Sequence, residues 1–407
     1  VNASVRPGKG TEENTEEYTG PSAGENAGRS AAPSAGAVAE AGAARGLAGR
    51  ARRVTVVRTR GGLSVRLDVP AVVAGLVLLA VALAAAVALI GSGDYPMSPA
   101  EVIATLTGGG DAGQEFIVQD LRLPRVLVGL LVGAAFGIAG AVFQTVSRNP
   151  LGSPDVLGFA QGSSVGALVA IVYFQAGTFA VAAGAVAGGV ITGVAIFLLA
   201  WKRGIHGYRF VLVGIGASAM LYAMVLYLLT KANIVDATRA TTWMTGSLAG
   251  RDWDQLWPLA AVCVVLVPVL LFHGRPLRML EMGDDAASAL GVRGERVRVV
   301  VLLAAVVLVA AATAAAGPIS FVALTAPQLA RRLSLPRFLK GAGRGTPLPG
   351  PHLLLSALMG AVLLVAADWA AQRLFGADQL PVGVLTGVLG GGYLLWLLAT
   401  ERKAGRI

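Results

Sequence analysis

Residues 121–167 read LRLPRVLVGLLVGAAFGIAGAVFQTVSRNPLGSPDVLGFAQGSSVGA. No side chain between Arg125 and Arg148 carries a charge. The run 125–146 is long enough to cross a bilayer, which takes about 20 apolar residues. Asn149-Pro150 and Ser153-Pro154 then interrupt helical geometry, and a second apolar run begins at Gly158. Two charge-free runs separated by a short polar break are the pattern of a chain that threads a membrane more than once.

Outward from this stretch the pattern recurs. Further apolar runs occupy 69–91, 178–200, 209–230, 256–273, 298–316, 352–371 and 381–399, with the second run closing at 175. A shorter one, 318–333, follows Gly317-Pro318, ends in Arg331-Arg332 and carries Pro327 and Gln328. Broken helices are tolerated at membrane depth when protein surrounds them. The count is ten spans, with nine as the alternative, and the expected fold class is an all-α, polytopic transmembrane helical bundle. Composition agrees: 55% of the 407 residues are hydrophobic and 14% charged, more apolar surface than a soluble chain can hide.

The formal net charge of +10 does not point to nucleic acid. Ten of the 33 Lys and Arg fall in the first 66 residues, and the rest sit between apolar runs. If the N-terminal arm is cytoplasmic, 17 of those remaining face inside and 6 outside, as the positive-inside rule requires. Nine spans would put the basic 331–344 loop outside, so ten is the consistent count. Both termini are then cytoplasmic and the chain is a multi-pass cell-membrane protein. Residues 1–66 read as a disordered arm, since 1–45 are rich in Ala, Gly, Ser, Glu and Pro without apolar period, and no signal peptide is expected there. Residues 67–407 read as the transmembrane domain, with a cytoplasmic segment at 280–298. Cys263, the single cysteine, reads as packing.

Three glycine series recur at four-residue spacing: Gly129, Gly133 and Gly137; Gly158, Gly162 and Gly166; Gly383, Gly387 and Gly391. Each lines one helix face and predicts close helix contact.

A source of work is harder to find. No G-x-x-x-x-G-K-[ST] phosphate loop occurs. The span interiors hold almost no charge; Asp368, near one end of the ninth span, reads as a helix-end acid beside Arg373 rather than a proton relay. His206, His273 and His352 lack metal-ligand spacing, so no metal or cofactor is expected, and no catalytic constellation is present. The reading is a transport protein driven by another chain, against the rivals of an ion-coupled secondary transporter and a membrane enzyme. Residues 280–298 offer an attachment point. Asp284 and Asp285 suit the start of a short helix over Ala286–Leu290, including Ala287, and Gly291 suits its end. Such a helix can fit a partner's groove, although periodicity alone is equally consistent with a solvated loop.

Residues 121–167, with WMTGSLAG (243–250), GDDAASALGV (283–292), GPISFVALTAPQLARR (317–332) and LPVGVLTGVLGGGYLLWL (380–397) in that order, resemble the FecCD family of permeases. These are membrane subunits of bacterial ABC importers for ferric siderophores, haem and vitamin B12. The resemblance covers about 69–400 and implies ten spans of the type II importer permease. It also implies partners: two ATPase subunits inside, a substrate-binding protein outside, and a second permease, expected to be a different chain. Arg122 and Arg125 match arginines that receive acidic residues of the binding protein, a task suited to the guanidinium fork. A third docking arginine of the family would fall at Gln372; this chain carries Arg373 beside it, about 100° round a helix. The 283–292 stretch, including Gly283, matches the segment that couples to the ATPase. Gln328 stands where the family often has His, and Asn149, Pro150, Pro327 and Gln328 are taken as gate or pathway residues. The expected cargo is a ferric siderophore, with catecholate type favoured by GSPDVLGF, and haem or vitamin B12 as alternatives.

Overall fold

The computed structural model describes residues 55–58, 64–67, 69–202, 207–333, 351–374 and 379–403. The arm up to residue 54, Arg203, His206, and the basic stretch with Arg337, Lys340 and Arg344 lie outside the described residues. Within the segment read as the arm, Thr55–Arg58 (β1) and Ser64–Leu67 (β2) form a short antiparallel pair. Composition had pointed to no order there; the pairing sets Thr55 opposite Leu67 and Arg58 opposite Ser64.

The remainder is helical. The first span, α1 (Val69–Gly91), is followed by two short helices, α2 (Pro99–Leu106) and α3 (Ala112–Glu115). Ser98 and Glu101 form a capping box at the start of α2, and Asp111 and Gln114 do the same for α3. A π-helical turn over Phe116–Arg122 leads into α4 (Leu123–Ser147). Then come α5 (Phe159–Phe174), α6 (Thr178–Ala200), α7 (Gly207–Lys231), α8 (Ile234–Met244), α9 (Trp253–Phe272), α10 (Gly274–Glu281), α11 (Asp284–Ala289), α12 (Gly294–Ala316), α13 (Val322–Leu333), α14 (Leu353–Arg373) and α15 (Val382–Lys403). Among the described residues seven helices are long and apolar enough to span a membrane: α1, α4, α6, α7, α9, α12 and α14. The shorter α5, α13 and α15 complete the ten-run pattern. At 12 residues α13 is about 18 Å long at 1.5 Å per residue, so it reaches only part of the way through a bilayer core of about 30 Å.

Burial separates the centre from the periphery. In the most apolar stretch of α12, 78% is buried within the chain, against 17% for α7. α4 lies at the centre, packed on α14, α12 and α13. Glycine explains how close they come. A Cβ on Gly133 would stand 2.4 Å from the Gly360 carbonyl oxygen, and one on Gly137 2.0 Å from that of Ser356. The second series works likewise: Gly166 meets the Gly184 carbonyl and Gly188 meets that of Gly162, welding α5 to α6. The third series departs from expectation. Gly383 abuts the Thr245 carbonyl, but Gly387 and Gly391 face open space among the described residues, while Gly390 sits on the Phe321 ring. α15 turns a different face to the chain than the four-residue spacing suggests.

Near one end of the bundle Phe143 of α4 stacks on Phe159 of α5 at 5.1 Å and on Phe210 of α7 at 6.3 Å. All three rings are buried, so the break between α4 and α5 is anchored by an aromatic core on both sides.

Candidate functional site

Polar chemistry collects at the two ends of α4 and around α13. At the end that loop charge assigns to the outside, Arg125 meets Asp368 of α14 in a two-pronged pair: Nε donates to Oδ2 at 3.0 Å and Nη2 to Oδ1 at 2.8 Å. Gln372 Nε2 adds a third donor to Oδ2 at 2.9 Å. Asp368 is 1% exposed. A carboxylate there is tolerable because every nearby donor is aimed at it. Arg125 is therefore not a free cation, and Asp368 pairs with Arg125, one helix away, rather than with its sequence neighbour Arg373. Arg122 is also engaged. Its Nη1 donates to the Ile90 carbonyl (2.6 Å) and Nη2 to that of Tyr95 (2.8 Å), closing the end of α1. Gly93, at φ 136°, gives that guanidinium its room: a Cβ would sit 2.8 Å from Nη2. Arg373 is exposed and lies within Coulombic reach of Arg122, as does Asp94.

At the opposite end, the short helix expected from local sequence is α11, entered through Gly283 at φ 116° and left through Leu290 and Gly291 at φ 79°. Both glycines occupy backbone conformations that L side chains resist. Ala287 is buried beneath the helix, while Met282 and Leu290 are 65% and 60% exposed, two apolar knobs flanking it. Asp284 Oδ1 accepts from both Arg148 and Arg298. Partial burial pushes its pKa up, but the two guanidinium groups outweigh this and hold it below the usual carboxylate range. Arg148 also donates through Nε (3.2 Å) and Nη2 (3.0 Å) to the Leu280 carbonyl. Beside this cluster Glu281 accepts from Thr145 Oγ1 at 3.0 Å and pairs with Arg331 at 3.5 Å.

Between these ends α13 is gripped by the segment that opened the sequence reading. Pro327 has no N–H, so the Ala323 carbonyl one turn earlier loses its helical partner. That oxygen lies against Gly140, where a Cβ would come to 1.8 Å. Gln144 Nε2 donates to the Leu324 carbonyl at 2.9 Å. The Phe321 N–H, at φ 68°, donates to Asp155 Oδ2 at 3.1 Å. Asp155 Oδ1 is buried without a hydrogen bond, and burial pushes the carboxyl up to about 7, against a weaker downward pull from the Phe321 amide. Gln328 Nε2 donates to the Pro150 carbonyl at 2.8 Å, and its Oε1 accepts from Tyr393 of α15 at 3.2 Å. Arg332 lies over the Tyr393 and Trp396 rings. A cleft of about 220 Å³ beside Tyr393 is lined by Phe321, Thr325, Leu363, Thr386 and Leu389.

Of the four residues singled out as a gate, Pro150 and Gln328 are thus in direct contact. Pro327 acts through the carbonyl it orphans, and the Asn149 side chain accepts the Leu151 N–H at 2.9 Å within its own turn. Sequence reading missed Gln144 and Asp155 and counted Arg148 only as loop charge. A glutamine inside an otherwise apolar run was the available signal for the first; nothing local marks the other two. Among the described residues no group of three His, Cys, Asp or Glu side chains could hold a metal.

A bundle of apolar helices around a short proline-containing one, with ion pairs at its two ends among the described residues, is the architecture of a polytopic membrane protein. Residues 76–400 match the FecCD transport family. The chain belongs to that family, and it is a transport subunit of the ABC importer class, not an enzyme. It is 45% identical over 328 residues to the ferric enterobactin transport system permease protein FepG of Escherichia coli (strain K12), covering 81% of this chain and 96% of that one. It is 34% identical over 314 residues to the iron(3+)-hydroxamate import system permease protein FhuG of Bacillus subtilis (strain 168), covering 75% and 90%. A solved structure of a metal-chelate type ABC transporter in an inward-facing conformation superposes with a TM-score of 0.68 at 27% identity, covering 80% of this chain and 98% of that one.

Proposed function

We propose that this chain carries a ferric siderophore, of catecholate type, across the cell membrane in an ATP-driven importer. The observation that supports this most is the 45% identity to the ferric enterobactin permease over nearly the whole of that protein. The cleft of about 220 Å³ is smaller than the roughly 300–1,000 Å³ of sites that enclose a drug-sized ligand. As in other importers of this class, the pathway is completed by a second permease, and a different permease chain is the partner we favour. Two ATPase subunits dock on the α11 side, where Met282 and Leu290 project, and a substrate-binding protein docks on the Arg122 side. Both termini are cytoplasmic in this arrangement. An ion-coupled mechanism is disfavoured by membership of a family of ABC importer permeases.

For docking we propose Arg122 and the exposed Arg373, with Arg125 fixing α4 to α14 beneath them. For the pathway we propose the Pro150–Gln328–Tyr393 contact as part of the gate. The deciding experiment reconstitutes the permease with its ATPase and binding protein and measures ATP hydrolysis with ferric catecholates, ferric hydroxamates, haem and cobalamin. Stimulation by ferric catecholate above the others is expected; preferential stimulation by haem or cobalamin overturns the cargo. In the same preparation, reversing the charges of Arg122 and Arg373 is expected to weaken binding-protein affinity at low salt, and unchanged affinity removes the docking face.

A further inference from the structure

Arg148 stands at the junction of two features that the function above treats separately. It is the first residue beyond α4, in the left-handed region at φ 50° and ψ 32°, a conformation uncommon for a residue with a long side chain. From there its guanidinium reaches across to the 280–284 corner. It holds the carbonyl of Leu280, in the last turn of α10, and the carboxylate of Asp284, the first residue of α11. One side chain thus bonds both sides of the turn that aims α11.

The backbone on which Arg148 sits continues directly into the gate. Two residues on, the Pro150 carbonyl accepts from Gln328 of α13, and Gln328 accepts in turn from Tyr393 of α15. Three consecutive residues, 148 to 150, thus connect the α11 corner to α13 and α15. The other cation on Asp284, Arg298, belongs to α12, the helix that directly follows α11. Its own bond reaches neither α13 nor α15, although α12 runs on through 317–321 into α13, and Glu281, next to Leu280, makes a longer tie of 3.5 Å to Arg331 of α13.

We propose that Arg148 is a positioning residue for transport: it makes the break after α4, and with it the Gln328 contact, follow the movement of α11. This rests on the reading of α11 as the ATPase-coupling helix. The test uses the assembled importer in proteoliposomes, with solute uptake and ATP hydrolysis measured in the same vesicles. Arg148→Ala is expected to keep the ATPase bound and hydrolysing while solute moved per ATP falls by about fivefold or more, the lower end of ordinary coupling energies. Arg298→Ala is expected to lower that ratio less. Arg148→Lys keeps the charge but not the fork that serves two acceptors at once, and is expected to fall between the wild type and Arg148→Ala. A thiol cross-linker of guanidinium length joining Arg148→Cys to Asp284→Cys, in a Cys263→Ala background, is expected to raise the ratio above that of the same protein before cross-linking.

An unchanged ratio in Arg148→Ala overturns the proposal, as does no recovery on cross-linking. Loss of the ATPase from the Arg148→Ala complex also overturns it, since Arg148 would then serve docking rather than transmission. Failure of the wild-type chain to bind any ATPase is a different result and strikes the importer reading itself.

Discussion

The two ends of α4 each carry an arginine bound to an aspartate, and the pairs differ in almost everything except chemistry. Arg125 and Asp368 are 19% and 1% exposed, joined by two parallel hydrogen bonds, with Gln372 completing the shell. Arg148 and Asp284 are 44% and 56% exposed, and Asp284 is shared with Arg298. If the buried pair parts, Asp368 keeps only the Gln372 amide as a partner, because the carboxylate is shielded from water. The exposed pair can exchange each contact for water at little cost. One residue pairing thus serves as a fixed joint at one end of the central helix and as an exchangeable contact at the other, the difference being burial.

Breaking the buried pair is expected to have the largest effect. Arg125→Ala leaves Asp368 charged and unpaired in the bundle, a loss of about 3–5 kcal/mol, read as a drop in thermal unfolding temperature in detergent. Replacing both residues by apolar ones of similar volume is expected to recover most of it. If the single and double variants melt alike, the pair is not what joins α4 to α14.

Next in size is Asp155, between the two ends. Asp155→Ala leaves the Phe321 N–H without its partner, at about 1–3 kcal/mol. Asp155→Asn keeps an acceptor and isolates the titration. Because the folded carboxyl is raised from 3.8 to about 7, its contribution to stability is full below pH 4 and is lost as pH rises through 7. The asparagine variant is expected to show a flatter stability profile over that window; an unaltered slope would assign the titration elsewhere.

The exposed pair sharpens the comparison from below. Asp284→Asn is expected to cost only about 0.2–1 kcal/mol in stability, and added salt should shrink the difference from wild type. With a lowered folded pKa, the Asp284 contribution is present above the ordinary carboxylate range and lost as pH falls. A stability loss as large as that of Arg125→Ala would mean that the two ends are built alike.

Much of the architecture was legible beforehand because its causes are local. Hydropathy located the spans, and paired aspartates followed by glycine located α11, since acids in a first turn and a glycine past the last one favour helix ends through a few adjacent residues. The α4 and α5 glycine series announced close crossings, yet the α15 series did not deliver one, because spacing specifies a helix face and not what covers it. The grip on α13 was not legible. Leu324 lies 180 residues from Gln144, and Phe321 lies 166 residues from Asp155; no periodicity links them.

By itself, the sequence determined that this chain is a ten-run membrane bundle with a short helix between Gly283 and Gly291, because apolar length and the glycines that bound a helix are written residue by residue. Only the tertiary structure decided how its charges are used. Arg125 and Asp368, 243 positions apart, become one buried pair when α4 meets α14. Arg148, indistinguishable in the sequence from any loop cation, becomes a tie from the end of α4 to the Leu280 carbonyl and the Asp284 carboxylate. Pairing energy depends on distance and on access of water, and both are set by the packing of helices that the order of residues does not display.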